Sequence, residues 1–223
     1  MVKREWGWSP RAGTSSAHTR NILKITLLDR LLLLATGLLA AWQVAFGING
    51  MDTLPMIAYT VGFGVILVAG LLLIILGFDA LDSPVVVILS TVIPLSLSLG
   101  LVWEHLAASR TLYLVFAILG FLAIVITRSV PIKNKLPVFV LAVVHGIAGM
   151  IIFLLPFLLA FTGRAAPGFA LVGLGGALIG LGGLLLSFLK AGKPILSRKT
   201  ILKILPGLLL LTTAAFVLGF SAA

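Results

Sequence analysis

Leu136–Thr162 reads LPVFVLAVVHGIAGMIIFLLPFLLAFT, without one Asp, Glu, Lys or Arg. A helix needs about 20 mostly apolar residues to cross the hydrocarbon core of a bilayer. This stretch exceeds that length, and apolar side chains surround every face of a helix drawn through it. A surface helix of a water-soluble protein keeps one polar face for solvent. None is present here, so the stretch reads as a membrane-spanning helix.

The same pattern recurs on both sides of it. Ile25–Phe46, Leu54–Phe78, Val85–Trp103, Thr111–Thr127, Gly168–Leu189 and Ile201–Phe220 are further spans. Turn-forming and polar residues divide them: Gly47-Ile48-Asn49-Gly50, then Asp79, Asp82, Ser83 and Pro84, then Glu104, His105, Ser109 and Arg110. The fourth span is short, but Arg110 and Arg128 at its ends can extend their charged heads toward the interfaces. The expected fold is therefore all-α: a polytopic integral membrane protein with about seven transmembrane helices. Residues 1–21 form a polar, basic tail, and residues 22–223 form the seven-helix domain.

Composition agrees. The chain is 61% hydrophobic and 10% charged, against about 25% charged in soluble domains. No stretch remains for a soluble catalytic domain. Cysteine is absent, which excludes disulfides, thiolate metal sites and cysteine nucleophiles.

The net charge of +10 has an unequal distribution. Lys3, Arg4, Arg11, Arg20, Lys24 and Arg30 belong to the N-terminal end. Arg128, Lys133 and Lys135 lie between spans four and five. Lys190, Lys193, Arg198, Lys199 and Lys203 lie between or at the edges of spans six and seven. Only Arg110 and Arg164 fall on the other side if all seven segments cross. Cytoplasmic loops carry the excess of Lys and Arg, so the expected orientation is N-terminus in, C-terminus out, in the plasma membrane. The cationic face is then a partner for anionic lipids rather than for nucleic acid. Tryptophan favours the headgroup level. Trp42 and Trp103 are expected anchors at the outer interface, and Trp6 and Trp8 at the inner one.

A weak internal similarity links span two to span six. Val61-Gly62-Phe63-Gly64 and Gly70-Leu71-Leu72-Leu73 match Val172-Gly173-Leu174-Gly175 and Gly183-Leu184-Leu185-Leu186. Gly37 and Gly146 align spans one and five in the same way. The pattern is that of a parallel repeat, two three-helix units joined by the fourth helix, as occurs in some transporters.

Ionisable and polar groups inside a span are costly, and each is a candidate for function. His145 is the foremost, in the inner half of the fifth span; its candidate contacts are a packing hydrogen bond, a quinone, a pigment or a substrate. A second histidine at matching depth, which haem would need, is missing. Thr91, Ser98 and His105 recur every seven residues along the third span, on one helix face, and Pro94 can kink that helix. Asp29 and Arg30 lie near the inner end of the first span, with interfacial anchoring, a gate or a subunit contact as alternatives. Glu104 and His105 end the third span as a solvated helix end, and two residues do not make a metal site. Gly173, Gly176, Gly180 and Gly183 form a stripe on the sixth span, expected to let a neighbouring helix approach closely.

No clustered acid, base, metal or nucleophile set is visible, so no catalytic residue and no metal is expected and no cofactor is required. Two functions fit. One is a non-catalytic subunit packing within or scaffolding a larger membrane complex, in contact with other membrane subunits and with lipid, quinone or pigment. The other is a small transporter or channel for a neutral or lipid-like solute, using the hydroxyls of the third span.

Overall fold

Lipid offers no hydrogen bonds to a peptide group, so a chain this apolar satisfies its backbone internally. The computed structural model describes residues 25–222 apart from 49, 131, 133 and 191, and among these every regular element is helical. The basic tail with Trp6 and Trp8, together with Ala223, lies outside the described residues. Seven helices are long and apolar enough to cross a membrane. They are α1 Leu27–Phe46, α2 Thr53–Leu76, α3 Pro84–His105, α4 Arg110–Ser129, α5 Leu136–Phe161, α6 Ala170–Lys190 and α7 Arg198–Ser221.

Local chemistry sets their ends. Asp29, whose role the sequence left among anchor, gate and subunit contact, belongs to a capping box. Its carboxylate accepts from the Thr26 backbone N–H and hydroxyl at 2.8 Å, while the Thr26 hydroxyl accepts from the Asp29 N–H at 3.2 Å. Such a cap satisfies two of the free amides that begin a helix. Gly47 and Gly77 end α1 and α2 with φ of 66° and 72°, a conformation that favours glycine. The seventh helix starts at Arg198, earlier than its apolar run, because the Ser197 hydroxyl accepts from the Thr200 N–H at 3.1 Å and caps it there.

Neighbouring helices form a ring. In order around it, α1 packs on α2, α2 on α3, α3 on α5, α5 on α6, α6 on α7 and α7 on α1. The fourth helix stands outside, against α3 and α5. The central core draws on all six ring helices and on the α5–α6 connection, through residues such as Ala40, Phe63, Leu97, Ile152, Val172 and Phe216. A separate cluster of Leu95, Ala117, Ile124, Val144 and Ala148 fixes α4 to α3 and α5. At one end Arg198 meets Asp82 at 3.3 Å, which brings the α2–α3 and α6–α7 connections together. Both side chains are exposed, so the pair contributes about 0–1 kcal/mol at most.

The expected glycine stripe of α6 divides. A Cβ on Gly173 would lie 2.7 Å from the Phe153 carbonyl oxygen, and one on Gly176 would lie 2.9 Å from Ile152, so these two seat α6 on α5. Gly180 and Gly183 share that face but have nothing within 4 Å of the same position. The physical reason is the crossing of the two helices. They are tied at the Phe161–Ala170 connection, touch near it, and part further on, so the shared face meets a neighbour over only part of its length. The α7 contact uses other glycines, Gly175 under Phe216 and Gly182 under Leu208.

Gly173→Ala is therefore expected to lower stability by about 1–3 kcal/mol through overpacking against an α5 backbone carbonyl. Gly180→Ala should instead be neutral or raise stability by about 0.5–1 kcal/mol, since alanine favours the helix. Thermal unfolding of the two variants in the same detergent checks the contrast. Equal losses would mean that α5 and α6 stay together along their whole length.

Candidate functional site

The third helix carries the hydroxyls that a solute path would need. Thr91 and Ser98 are both fully buried. Each turns back on its own helix: Thr91 donates to the Val87 carbonyl at 2.9 Å, and Ser98 to the Pro94 carbonyl at 2.5 Å. Ser98 also accepts from the Tyr113 hydroxyl of α4 at 2.7 Å. This bond is a buried polar tie between the outlying fourth helix and the ring. Tyr113 was missed in the sequence, although a phenol inside an apolar span always needs a partner.

His145 belongs to α5 and is partly buried. Its Nδ1 is buried, and the backbone of Leu141, one turn back on its own helix, is its hydrogen-bond partner. The structure does not join it to Thr91 or Ser98, whose hydrogen bonds run to their own helix and to Tyr113. No hydrogen bond links the three side chains to one another.

A second polar group gathers at the end of α3. Glu104 and His105, expected as a solvated helix end, are half-buried. The ring of His105 lies 5.3 Å from that of Phe169, in the connection that folds over from α5 to α6. The Tyr59 ring rests on α3 where a Cβ on Gly100 would come within 2.5 Å of it. Its hydroxyl is within electrostatic reach of Glu104, one turn further along α3. Tyr59 Oη, Glu104 Oε2 and His105 Nε2 are all buried and lack hydrogen-bond partners. Tyr59 could have been flagged from sequence, because the chain holds only two tyrosines and both fall in spans. The cluster combines donors with one carboxylate acceptor, which suits hydrogen bonding to a small polar group. Among the described residues no group of three or more His, Asp or Glu side chains is placed to hold a metal ion.

Two of the tryptophans expected as anchors fall among the described residues. Trp42 is exposed in the last turns of α1 and stacks near Phe46, ring centroids 4.0 Å apart. Trp103, in the last turn of α3, lies under the Arg110 guanidinium at 5.6 Å.

No family model, curated protein or solved structure matches this chain. Its function is therefore argued from the residues themselves.

Ser98→Ala is expected to cost about 1–3 kcal/mol, because it leaves the buried Tyr113 hydroxyl without its acceptor. Adding Tyr113→Phe should recover most of that loss, since both polar partners are then gone. A double-mutant cycle on thermal or denaturant stability measures the coupling. Additive losses would mean that the two hydroxyls do not interact.

Proposed function

We propose that the chain is a non-catalytic, multi-pass membrane subunit that packs within, or scaffolds, a larger membrane assembly. The observation that carries this is the filling of the bundle axis. Phe63, Phe169, Phe216 and Phe220 meet there, each at most 1% exposed. Phe63 touches both Phe216 and Phe220 edge-on, at 6.5 and 6.1 Å between centroids. A transporter or channel needs a polar or hydrated route through this region, and the third-helix hydroxyls that would line one are closed onto their own backbone. A groove between α3 and α4 has a volume of about 220 Å³ and is lined by residues such as Val92, Leu95, Leu99, Leu114 and Phe121. Ligand pockets are usually about 300–1,000 Å³, so this groove suits an acyl chain better than a solute.

The outer surface supports the same function. Leu27, Leu31, Leu38 and Phe46 of α1 and Leu181, Leu184 and Phe188 of α6 are exposed apolar side chains. The open glycines Gly180 and Gly183 lie among the latter, where a further helix can approach closely. We also infer a cytoplasmic N-terminus, an extracytoplasmic C-terminus and residence in the plasma membrane, from the Lys and Arg asymmetry. We infer in addition that the two three-helix units are a parallel repeat, from the matched glycine and leucine runs of spans two and six; this feature belongs with the transporter alternative.

Gentle detergent extraction followed by mass measurement tests the function. A stoichiometric assembly with other membrane proteins is the expected result, and a monomer or small homo-oligomer would favour the transporter instead. Orientation has its own test. The chain lacks cysteine, so Ser15→Cys and Ala223→Cys each introduce a single thiol. A membrane-impermeant thiol reagent should reach them from opposite sides of the membrane, and labelling from one side would contradict an odd number of crossings.

A further inference from the structure

Tyr59 is 2% exposed, and its hydroxyl is buried without a hydrogen-bond partner among the described residues. A phenol cut off from water loses the hydrogen bonds it makes in solution, and folded proteins rarely leave that loss uncompensated. Packing fixes where the hydroxyl lies. The ring carbon that bears it, Cζ, would come within 2.6 Å of a Cβ on Gly100 of α3. Glu104 follows four residues later on that helix, and residues four apart share a face with Cβ atoms about 5–6 Å apart. The hydroxyl therefore sits beside the last turn of α3, within electrostatic reach of the Glu104 carboxylate. A chain of rings reaches the same turn from the other side. Tyr59 lies 4.4 Å from Phe220 of α7, Phe220 lies 6.2 Å from Phe169, and Phe169 lies 5.3 Å from His105, centroid to centroid. The rings thus run from Gly100 round to His105 and close a loop on α3. Two more polar atoms belong to that turn, Glu104 Oε2 and His105 Nε2, both buried and both without a hydrogen-bond partner among the described residues.

Three unpartnered polar atoms around one helical turn call for a molecule that bonds to all of them. The rings of the loop are in contact with one another, so no opening between them admits a substrate. The ligand is then the smallest molecule that both donates and accepts. Buried waters make about three hydrogen bonds each, to polar groups that would otherwise go unsatisfied. The chemistry of the three atoms matches. Tyr59 offers an O–H, the carboxylate oxygen of Glu104 only accepts, and the His105 nitrogen does either according to its tautomer. We propose that the last turn of α3 holds a bound water, which accepts from the Tyr59 hydroxyl, donates to the Glu104 carboxylate and takes His105 Nε2 as its third partner. Because Phe169 rests on His105, the same water helps to seat the α5–α6 connection on the bundle. The site stands on the packing of α2, α3 and α7 and not on the subunit function proposed above.

Hydroxyl radicals made from water by a short X-ray pulse oxidise the side chains next to that water, so a buried ring is modified only where water is bound beside it. The test applies this to the full chain purified in an uncharged detergent, with mass spectrometry of its peptides as the readout. The chain has two tyrosines. Tyr59 should gain oxygen several-fold faster than Tyr113, which is also buried but donates directly to Ser98 at 2.7 Å. When the protein is mixed with heavy-oxygen water just before the pulse, Tyr59 should still take up the ordinary isotope at the shortest delay, as slowly exchanging bound water requires. Glu104→Leu and His105→Leu should each cut the labelling of Tyr59 several-fold, whereas Glu104→Gln, which keeps an acceptor, should preserve it. Asp82→Asn, at the Arg198 pair, should leave it unchanged. Tyr59 as inert as Tyr113 in the parent chain would overturn the water, and that comparison needs no variant. Immediate uptake of the heavy isotope would mean a crevice open to bulk solvent and would overturn the bound site. A small molecule retained by the parent in native mass spectrometry and lost from Glu104→Leu would put a ligand in place of the water, and the proposal falls. Parental labelling of Tyr59 in both leucine variants would remove Glu104 and His105 from the site and overturn it equally.

Discussion

A peptide group that enters hydrocarbon must bring its hydrogen-bond partner with it, because lipid supplies none. That constraint turns each apolar run of this chain into a helix, and it governs the side chains as well. Thr36, Thr91, Thr127 and Thr213 each donate to the carbonyl four residues earlier, Leu32, Val87, Ala123 and Leu209. The same need appears at helix ends, where Asp29 and Thr26 cap α1 reciprocally and the Gln43 amide donates to the Gly47 carbonyl at 2.7 Å. Polar atoms that look like a functional inventory in the sequence are largely consumed in this way. Those left over stand out: the Tyr59, Glu104 and His105 cluster at one end of the bundle, and single atoms of Arg128 and Thr212 elsewhere.

With the backbone satisfied, association of the helices rests on packing, since lipid tails are as apolar as leucine and drive no segregation. The bundle answers with rings set into glycine hollows. Tyr59 lies on Gly100 and Phe216 on Gly175, so close that a methyl group in either hollow would clash. These contacts bring the aromatic side chains of α2 and α7 together, as the 4.4 Å separation of the Tyr59 and Phe220 rings shows. Aromatic packing in the core joins the ring of helices.

The fourth helix shows how far a pattern in sequence carries. Its existence was legible from Thr111–Thr127, and the structure extends it to Arg110–Ser129. Its position outside the ring was not, because apolarity says that a helix meets lipid but not which helices it meets. The Tyr113–Ser98 bond that ties it to α3 spans two helices, and no spacing rule within one helix predicts such a contact. His145 stood out in the sequence as an imidazole in an apolar span, but which neighbours its ring meets depends on how α5 lies against the helices beside it. The glycines of α6 make the same point, for their angular spacing was legible while the parting of α5 and α6 beyond Gly176 was not.

From the sequence alone came the number of helices, their approximate limits and their apolar surroundings. These are properties of each segment by itself, fixed by length, hydropathy and the turn residues between spans. The order of helices around the bundle, the aromatic closure of its axis and the identity of the unpaired polar groups were decided only by tertiary structure. Each of these depends on the rotation and crossing of two helices at once. In a bilayer many rotations bury similar apolar area, so the choice among them falls to the fit of particular rings and glycines across an interface.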